Sequence, residues 1–559
     1  MNVVLERYLQ NIYKNEVGET IGDYSASNGQ KIELRIVFPK NFPISLPKIY
    51  INNWDTLRIF IPHVETNGLV CYTTSNNILY DSTDTEKIIL ASVLKAIETI
   101  EDGIQKNNNE DFRKEFIAFW DQQKNSYTVS FFANPDNSVK KLTVSLSTKS
   151  KKIILNDKNS IYSDVPVKIF HEEIEPYKNI DVQYIPLRQK NHVLPPNPRN
   201  SWSKKELISI VRKNTTQSTK RQFNDWINQK TQITRLLIIK IPISNQNEIL
   251  VGFWFKKNPK SIKKRTLGFI PVIVQRFDLQ YLLERTSGEH YFTELNVCIV
   301  GLGSVGSKLS TELANLGITR LTLIDPDRFE SDNLFRHSLG ADSLFTEKYN
   351  YKVDCLQTEL ERKNPYLNVE AESMDILDLL HHQPNYFNQF DFTFICTGET
   401  MINLEINRVL SQTNNKMFYS WVEPLGVGGH SLYVDYSNKG CFRCLNINPA
   451  NNKIISNRSS LIEPGQHIEK NLASCRSAFV PYGSLTSSEA AIRTAELFYK
   501  VVTMQISKNS LYTWLGDTYS IEQMGYKLSN RFKKNKDNFP IIEENFGNQK
   551  CELCGAKKC

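Results

Sequence analysis

The sequence predicts an α/β protein whose C-terminal half contains a nucleotide-binding βαβ unit, and three observations support this fold class. Residues 297–300 form a short apolar run, rich in β-branched side chains, of the kind expected of a strand buried on both faces. Glycines at GxGxxG spacing follow it, and leucines then recur at helical spacing as far as Gly317. A second apolar strand ends on Asp325. The three glycines are Gly301, Gly303 and Gly306.

Such a unit suits a nucleotide for a physical reason. Glycine lets backbone amides and a helix N-terminus approach a phosphate, and an acid at the end of the second strand can bind a ribose hydroxyl. A tight glycine turn without a ligand would show the same spacing. The presence of both strands, the helix and Asp325 favours nucleotide binding.

The composition is that of an ordinary globular chain. Its 559 residues are 40% hydrophobic, enough for several domains. The net charge of +8 is spread along most of the chain, so it gives no reason to expect a nucleic-acid partner. The N-terminus lacks a signal-peptide pattern and no apolar run is long enough to span a bilayer, so we expect a cytoplasmic protein without a membrane partner. In that reducing compartment the ten cysteines suit metal ligands, nucleophiles or buried residues better than disulfides.

Residues 1–124 are predicted to form a compact α+β domain. Leu5, Leu9 and Ile12 fit the first turns of a helix. Alternating strand patterns follow, interrupted by prolines that break the strand ladder, and a second helix is predicted around residues 88–97. Cys71 lies in an irregular stretch between them, and by itself it would be interpreted as a partly buried side chain.

The residues around Cys71 resemble those of the ubiquitin-conjugating enzymes. That family places a proline-rich crossing, an HPN tripeptide and an Asn-Gly turn before its active cysteine, and the corresponding residues here are 61–63, Asn67, Gly68 and Cys71. The resemblance implies that Cys71 carries an acyl group as a thioester. His63 takes the place of the family's asparagine, which donates a hydrogen bond to the oxyanion, and an imidazole can also donate.

Residues 125–289 are predicted to form a mixed α and β linker region without a catalytic motif. Residues 165–169 fit a strand, residues 207–211 a helix and residues 236–255 a hairpin. Lysine and arginine are frequent over residues 204–265. This stretch is either ordinary solvated surface or a surface for an acidic partner.

Polar residues are dense after Asp325. Asn333 and Arg336 follow the second strand, at the place where ligands bind in open α/β sheets, and Lys352 comes with the next helix. An enzyme that attacks the α-phosphate of ATP needs such cations, because negative charge grows on the triphosphate as pyrophosphate leaves. A simple dinucleotide oxidoreductase has no need for this set, so the sequence favours ATP as the ligand.

This set resembles the activating-enzyme superfamily of ThiF and the ubiquitin activators, whose motif continues to an Asn-Pro pair, here residues 364–365. The resemblance implies a Rossmann-like adenylation domain in which Asp325 holds the ribose of ATP. It implies that Asn333, Arg336 and Lys352 contact the phosphates. It also implies a homodimer in which the arginine acts across the interface.

The resemblance has one departure, at the magnesium ligand. The family has an aspartate in a CTDN-like sequence, whereas residues 396–399 read Cys-Thr-Gly-Glu. We expect Glu399 to supply the carboxylate for Mg²⁺ one position further on.

Two CxxC pairs predict a structural zinc site, because four thiolates form a closed tetrahedral set. Their wide separation in sequence means that Zn²⁺ would fasten the C-terminal tail to the body of the domain. Redox-active or unpaired thiols are the alternative. The four residues are Cys441, Cys444, Cys551 and Cys554.

Cys475 is a candidate nucleophile. It lies in a loop-like stretch of small residues, beside Arg476, whose charge would stabilise a thiolate. Its residues alone leave a structural role open, but the resemblance to the activating enzymes implies that it is the acceptor cysteine for the activated acyl group. Cys559, the last residue, has no assigned role.

Together these parts predict three domains, at residues 1–124, 125–289 and 290–559. The expected reaction adenylates the accessible C-terminal carboxylate of a protein, captures the acyl group on Cys475, exchanges it to Cys71 and transfers it to an amine. The domain order resembles the activating and conjugating fusion proteins of bacterial CBASS anti-phage operons, which implies a cGAS-like nucleotidyltransferase as the protein substrate. A sulfur-carrier adenylyltransferase and a non-catalytic nucleotide-binding scaffold are the alternatives.

Overall fold

A computed structural model describes residues 5–556 except for short gaps. The chain forms two compact units, Met1–Tyr281 and Leu282–Cys559, and each is described by itself. In the described part of the chain, no helix combines the length and the apolar character that crossing a bilayer requires. The gaps are 58, 74–78, 109, 124–125, 172, 189–192, 198–200, 230–232, 245–246, 258–266, 287–291, 346–349, 467, 469 and 472–477.

The first unit begins with a four-stranded antiparallel sheet in the order β1-β2-β3-β4. Along β3, Ile32, Leu34 and Ile36 are fully buried and alternate with more exposed residues, because successive side chains point to opposite faces. The elements are β1 (Gln10–Lys14), β2 (Thr20–Ser25), β3 (Lys31–Val37), β4 (Lys48–Ile51), α1 (Thr85–Gln105), α2 (Asp111–Lys114) and α3 (Phe116–Asp121).

The long helix α1 covers the buried face of this sheet. Asp84 caps it by accepting a hydrogen bond from the Lys87 backbone N–H at 3.0 Å, and Val93 and Ala96 lie in one core cluster with the strands. This confirms the predicted α+β character and the helix around residues 88–97. The prediction of a first helix was wrong at Ile12, which lies in β1. This segment forms hydrogen bonds with the neighbouring strand β2. The spacing of its apolar residues does not reveal that pairing.

The rest of the first unit is a barrel. Its described strands pair in the order β7-β5-β12-β11-β10-β9-β6, and a further pairing of β6 with β7 closes the ring, while β8 adds to β6 outside it. The strands are β5 (Tyr127–Phe131), β6 (Lys140–Ser147), β7 (Ile153–Asn156), β8 (Ile174–Pro176), β9 (Ile180–Pro186), β10 (Thr234–Pro242), β11 (Glu248–Lys257) and β12 (Leu267–Arg276).

Strand β10 shows why this region forms a closed sheet with a helical cover. Leu236 and Ile238 belong to the core cluster inside the barrel, whereas Leu237 and Ile239 pack outward against helices. The β10–β11 hairpin was predicted correctly. The helices of this region are α4 (Val165–Phe170), α5 (Lys204–Lys213), α6 (Gln217–Asn228) and α7 (Leu279–Glu284).

One local prediction in this region was wrong. Residues 165–169 were expected to be a strand because Val165, Val167 and Ile169 alternate, but they form α4. Pro166 stands in the first turn of that helix, where its missing N–H would have no partner in any case and its fixed φ suits the helix.

The second unit is built on one sheet in the order β15-β14-β13-β16-β17-β18-β21-β22. The first five strands are parallel and the last three antiparallel. The strands of this unit are β13 (Asn296–Val300), β14 (Arg320–Ile324), β15 (Asn368–Glu372), β16 (Phe392–Ile395), β17 (Lys416–Val422), β18 (Gly428–Asp435), β19 (Lys470–Asn471), β20 (Ala478–Phe479), β21 (Ser510–Leu515) and β22 (Ile541–Glu543).

Helices cover both faces of this sheet. Val297 and Ile299 of β13 face one core cluster, and Cys298 and Val300 face the other, as expected of a strand buried on both faces. From β13 the chain continues to β14 on one side of β13, and it later returns to β16 on the opposite side of β13. The direction in which strands are added to the sheet therefore reverses between β13 and β16. The helices are α8 (Gly306–Asn315), α9 (Lys352–Lys363), α10 (Ile376–His382), α11 (Thr400–Leu410), α12 (Ser484–Val502), α13 (Tyr519–Gln523) and α14 (Asn530–Asn535).

Candidate active sites and metal centre

The glycine turn lies at the reversal between β13 and β16, where open α/β sheets bind ligands. Gly301 has φ +86°, and a Cβ there would meet the backbone N of Thr397 at 2.7 Å. A Cβ at Gly306 would collide with the Gly301 carbonyl, so both positions require glycine. Gly303 has open space on its Cβ side, which leaves its backbone accessible to a ligand. The predicted βαβ unit is therefore present, and its helix begins directly at the glycine turn.

Asp325 and Lys352 are brought together at the edge of this turn. Asp325 is 5% exposed, and its carboxylate accepts hydrogen bonds from the backbone N–H groups of Leu302 at 2.5 Å and Asp327 at 2.8 Å. The Nζ of Lys352 lies 3.9 Å from Asp325 Oδ1 and 2.7 Å from Asp327 Oδ2. Burial raises the pKa of Asp325, although Lys352 and the two N–H donors oppose that shift.

Asn333 and Arg336 lie on the segment that follows. The Asn333 side-chain carbonyl accepts a hydrogen bond from the Glu330 N–H at 3.0 Å and so shapes a short helical turn. The Arg336 guanidinium carbon lies 5.6 Å from the centre of the Tyr482 ring. This distance is in the range of a cation–π contact and places the arginine against Tyr482.

His337 fastens that segment to the glycine turn, and the sequence reasoning did not assign it. Its Nε2 lies 2.8 Å from the Leu302 carbonyl, and its Nδ1 accepts from the Leu339 N–H at 3.1 Å. Burial lowers the pKa of His337 to about 4, so the ring is neutral and its Nε2–H donates to Leu302. The signal in the sequence was its place directly after Arg336.

A cavity of about 350 Å³ opens beside the turn. Gly303, Ser304 and Tyr482 line it, together with residues that follow β16 and β17. Glu399 is exposed and is not among the described residues that line the cavity, although its neighbours Gly398 and Thr400 are. Its assignment to Mg²⁺ therefore stays a prediction.

The carboxylate that does line the cavity is Glu423, which is 6% exposed. It lies 3.0 Å from Nε2 of the fully buried His430 and accepts a hydrogen bond from the Ser460 hydroxyl at 3.0 Å. The sequence reasoning missed Glu423. The available signal was its position just after β17, the strand next to β16, because carboxyl ends of neighbouring parallel strands meet at one edge of a sheet.

The four predicted zinc ligands come together in the core of the second unit. Their Sγ atoms all lie within 4.8 Å of one another, with 3.8 Å between Cys441 and Cys551 and 3.4 Å between Cys444 and Cys554. Zn–S bonds of about 2.3 Å arranged tetrahedrally would put sulfurs about 3.8 Å apart, so the set fits Zn²⁺. The Asn548 backbone N–H donates to the Cys444 sulfur at 3.3 Å, which favours a thiolate.

We expect the purified protein to carry about one zinc per chain. Cys444→Ser or Cys554→Ser should lose the metal and loosen the C-terminal tail, because metal binding and local folding are coupled. Metal analysis and limited proteolysis measure the two effects. Cys355→Ser is the matched control, since Cys355 is buried in the same unit but lies outside the cluster. A wild-type protein that is stable without metal would contradict the assignment.

In the first unit, Cys71 stands at the end of a tight turn. The Leu69 N–H donates to the Asn67 side chain at 2.9 Å, and Gly68 has φ +85° with its Cβ position blocked by the Ile51 carbonyl. The predicted Asn-Gly turn is therefore present. The Cys71 N–H donates to the His63 carbonyl at 2.7 Å, so His63 and Cys71 are directly connected.

Two carboxylates, Glu65 and Glu115, lie near enough to the Cys71 thiol to act on its pKa. The residue is exposed, but its sulfur is partly shielded and lies 3.9 Å from Glu65 Oε1. This partial burial, together with the negative charges of Glu65 and Glu115, raises the pKa of Cys71 to about 11. The thiol is therefore mostly protonated at neutral pH.

Both ring nitrogens of His63 are engaged by carboxylates. Nδ1 lies 2.6 Å from Glu115 Oε1, and Nε2 lies 3.1 Å from Asp111 Oδ2. No ring N–H is left to donate to an oxyanion in this arrangement, which therefore does not favour the expected donor role.

The predicted acceptor Cys475 and the unassigned Cys559 lie outside the described residues.

The comparisons with known proteins match two families. Residues 9–129 match Prokaryotic E2 family B, and residues 279–516 match the ThiF family. The two matches lie in the order predicted from the sequence, and the second contains the glycine turn, Asp325 and Lys352 described above.

Two relatives and one solved structure are also similar. The chain is 22% identical over 462 residues to the ATP-dependent ubiquitin transferase-like protein Cap2 of Pseudomonas aeruginosa, covering 78% of this chain and 79% of that protein. It is 26% identical over 165 residues to the ubiquitin-like modifier-activating enzyme 5 of Bombyx mori, covering 27% of this chain and 40% of that relative's length. A crystal structure of E. coli MccB with ATP has 18% identity and a TM-score of 0.34, over 49% of this chain and 69% of that one.

Proposed function

We propose that this chain, which joins a Prokaryotic E2 family B domain to a ThiF family domain, activates a protein's C-terminal carboxylate and conjugates it to an amine. It is an adenylating and conjugating enzyme. The carboxylate attacks the α-phosphorus of ATP and pyrophosphate leaves. The Cys475 thiolate then attacks the acyl-AMP and AMP leaves, Cys71 takes the acyl group by thiol exchange, and the amine displaces the Cys71 thiol.

The observation that carries this proposal is the pairing of Asp325 with Lys352 at the edge of the glycine turn. The open side of Gly303 can admit phosphate oxygens, and the buried carboxylate and ammonium group lie at the same edge. Arg336, held against Tyr482 at the cavity, adds a second cation. Cationic groups so placed stabilise the charge that develops as pyrophosphate departs. The residues present therefore fit ATP as a substrate.

The remaining roles come from the family motifs and the sequence pattern. Asn333 is proposed to contact the phosphates on the family motif alone. Glu399 is proposed to hold Mg²⁺ because it lies one position beyond the place of the family's aspartate. The homodimer, the cytoplasmic location and the division at residues 124 and 289 rest on the resemblance and the sequence pattern. The place in CBASS defence and the cGAS-like nucleotidyltransferase as substrate rest on the resemblance of the domain order to the CBASS fusion proteins. The similarity to Cap2 over 78% of this chain supports that domain order.

Neither of the two alternatives needs Cys71 as a conjugating cysteine. A sulfur-carrier adenylyltransferase would make a thiocarboxylate and would have no use for an E2-type domain. A non-catalytic scaffold would bind a nucleotide without turning it over. The match of residues 9–129 to Prokaryotic E2 family B favours conjugation over both.

Exchange of labelled pyrophosphate into ATP tests the proposal. We expect exchange that depends on a protein substrate with a free C-terminal carboxylate, with a cGAS-like nucleotidyltransferase as the probe. The matched control is the same probe ending in an amide, which cannot be adenylated. Exchange that is absent with every carboxylate probe would leave the scaffold interpretation, and a thiocarboxylate product would establish the sulfur carrier.

A further inference from the structure

His63 holds two carboxylates beside the Cys71 loop. Its Nδ1 lies 2.6 Å from Glu115 Oε1 and its Nε2 lies 3.1 Å from Asp111 Oδ2, while its backbone N–H donates to Glu115 Oε2 at 3.0 Å. An imidazole can donate from both nitrogens only when it is protonated. The geometry therefore describes an imidazolium between two anions, and the His63 carbonyl accepts the Cys71 N–H at 2.7 Å.

The two carboxylates come from a helical segment that is packed against the barrel. Asp111 lies on α2, and Glu115 lies between α2 and α3. Trp120 of α3 is fully buried, and its indole N–H donates to the Val272 carbonyl of the barrel at 3.0 Å. The same helical segment reaches the loop again through Gln122, whose side-chain carbonyl accepts the Thr66 N–H at 3.0 Å.

We propose that Asp111 and Glu115 are positioning residues for Cys71, acting through His63, so that the barrel-anchored helices set the place of the nucleophile. This inference rests on the proposed role of Cys71 as the conjugating cysteine. A shift of about 1 Å in a reacting group can slow a reaction by roughly 10²-fold. Release of the Cys71 loop at His63 should therefore slow the reaction of Cys71.

The arrangement depends on pH in a definite direction. The hydrogen bond to Glu115, and less strongly that to Asp111, raise the pKa of His63 against the opposing effect of burial. Among the described residues, two further charged groups lie at this site: Lys114, whose Nζ is 3.1 Å from Asp111 Oδ1, and Glu65, whose Oε1 is 3.9 Å from Cys71 Sγ. Because the folded-state pKa is raised, the paired state is complete below the ordinary imidazole pKa of about 6.5 and is lost as pH rises through the raised value.

Discharge of a preloaded Cys71 thioester to a free amine, followed in single turnover across pH, tests this. His63→Gln should slow discharge by roughly 10²-fold at low pH. The ratio of the wild-type discharge rate to the His63→Gln discharge rate should then fall toward one as pH rises. Taking this ratio cancels the pH dependence of the amine's own reactivity. The double variant Asp111→Asn with Glu115→Gln should move this fall to lower pH. Glu110→Gln is the matched control, because Glu110 pairs with Arg113 instead of His63, and it should change nothing.

Titration of the nine histidines by NMR, with His63 identified by the His63→Gln spectrum, gives a readout without turnover. We expect the His63 pKa to lie above 6.5 and to fall in the double variant. A ratio that is constant with pH, or a His63 pKa at or below 6.5, would overturn the proposal. If wild-type Cys71 is never loaded, the proposed function fails, and the NMR titration still decides whether His63 is held as an imidazolium.

Discussion

A Cys475→Ala protein is expected to form acyl-AMP and yet to leave Cys71 without an acyl group. Adenylation needs the nucleotide pocket but no thiol, whereas the proposed route to Cys71 passes through Cys475. Pyrophosphate exchange should therefore persist, while thioester on Cys71, measured by non-reducing gels and mass spectrometry, should fall below detection. Loading of Cys71 at the wild-type rate would show that the acyl group passes directly from acyl-AMP to the N-terminal domain.

The complementary variant, Cys71→Ala, blocks the route one step later. It should accumulate a reducible thioester on Cys475 and form no stable conjugate, because the acyl group has no second thiol to reach. Cys298→Ala is a suitable control, since Cys298 is fully buried in the sheet core and lies on no transfer route. If Cys71→Ala conjugated the substrate as well as wild type, the N-terminal domain would be a docking module.

The parts of the site that the sequence predicted are those whose residues lie within one βαβ unit or one tight turn. Gly301, Gly306 and Asp325 follow from local spacing, because the strand, turn, helix and strand that hold them are consecutive. The Asn67-Gly68 turn before Cys71 is local in the same sense. The clustering of the four CxxC cysteines could be predicted across a long separation because two such pairs form a closed ligand set for a metal.

Contacts between distant residues could not be predicted in the same way. Asp111 is 48 residues from His63, and nothing in the spacing of the chain marks them as partners. The barrel closes through the pairing of β6 with β7. The pattern of residues within a strand does not show which other strand it pairs with. Glu423 was overlooked because a single acid after a strand gives little sign that it will be buried against His430.

Lys352→Ala is expected to reduce adenylation by about 10²–10³-fold, the effect of removing one donor that stabilises charge in the transition state. Its ammonium group lies at the edge of the glycine turn, next to the buried Asp325, and its contribution should grow as the triphosphate gains charge. Asp325→Ala should act mainly on ATP affinity, and because Asp325 also accepts two backbone N–H groups, it should loosen the turn as well. Pyrophosphate exchange at several ATP concentrations separates the two effects.

Stability is the necessary control for Lys352→Ala. Removing this lysine leaves the Asp325 carboxylate buried with one opposing charge fewer, so a lower Tm is expected. Arg336→Ala avoids this difficulty, because its guanidinium contacts the Tyr482 ring at the cavity, and it should lose adenylation by a similar factor at unchanged Tm. Lys363→Ala, on the exposed end of α9, is the matched control and should keep full activity. Normal exchange in Arg336→Ala and Lys352→Ala, or binding of NAD in place of ATP, would contradict the assignment of this pocket.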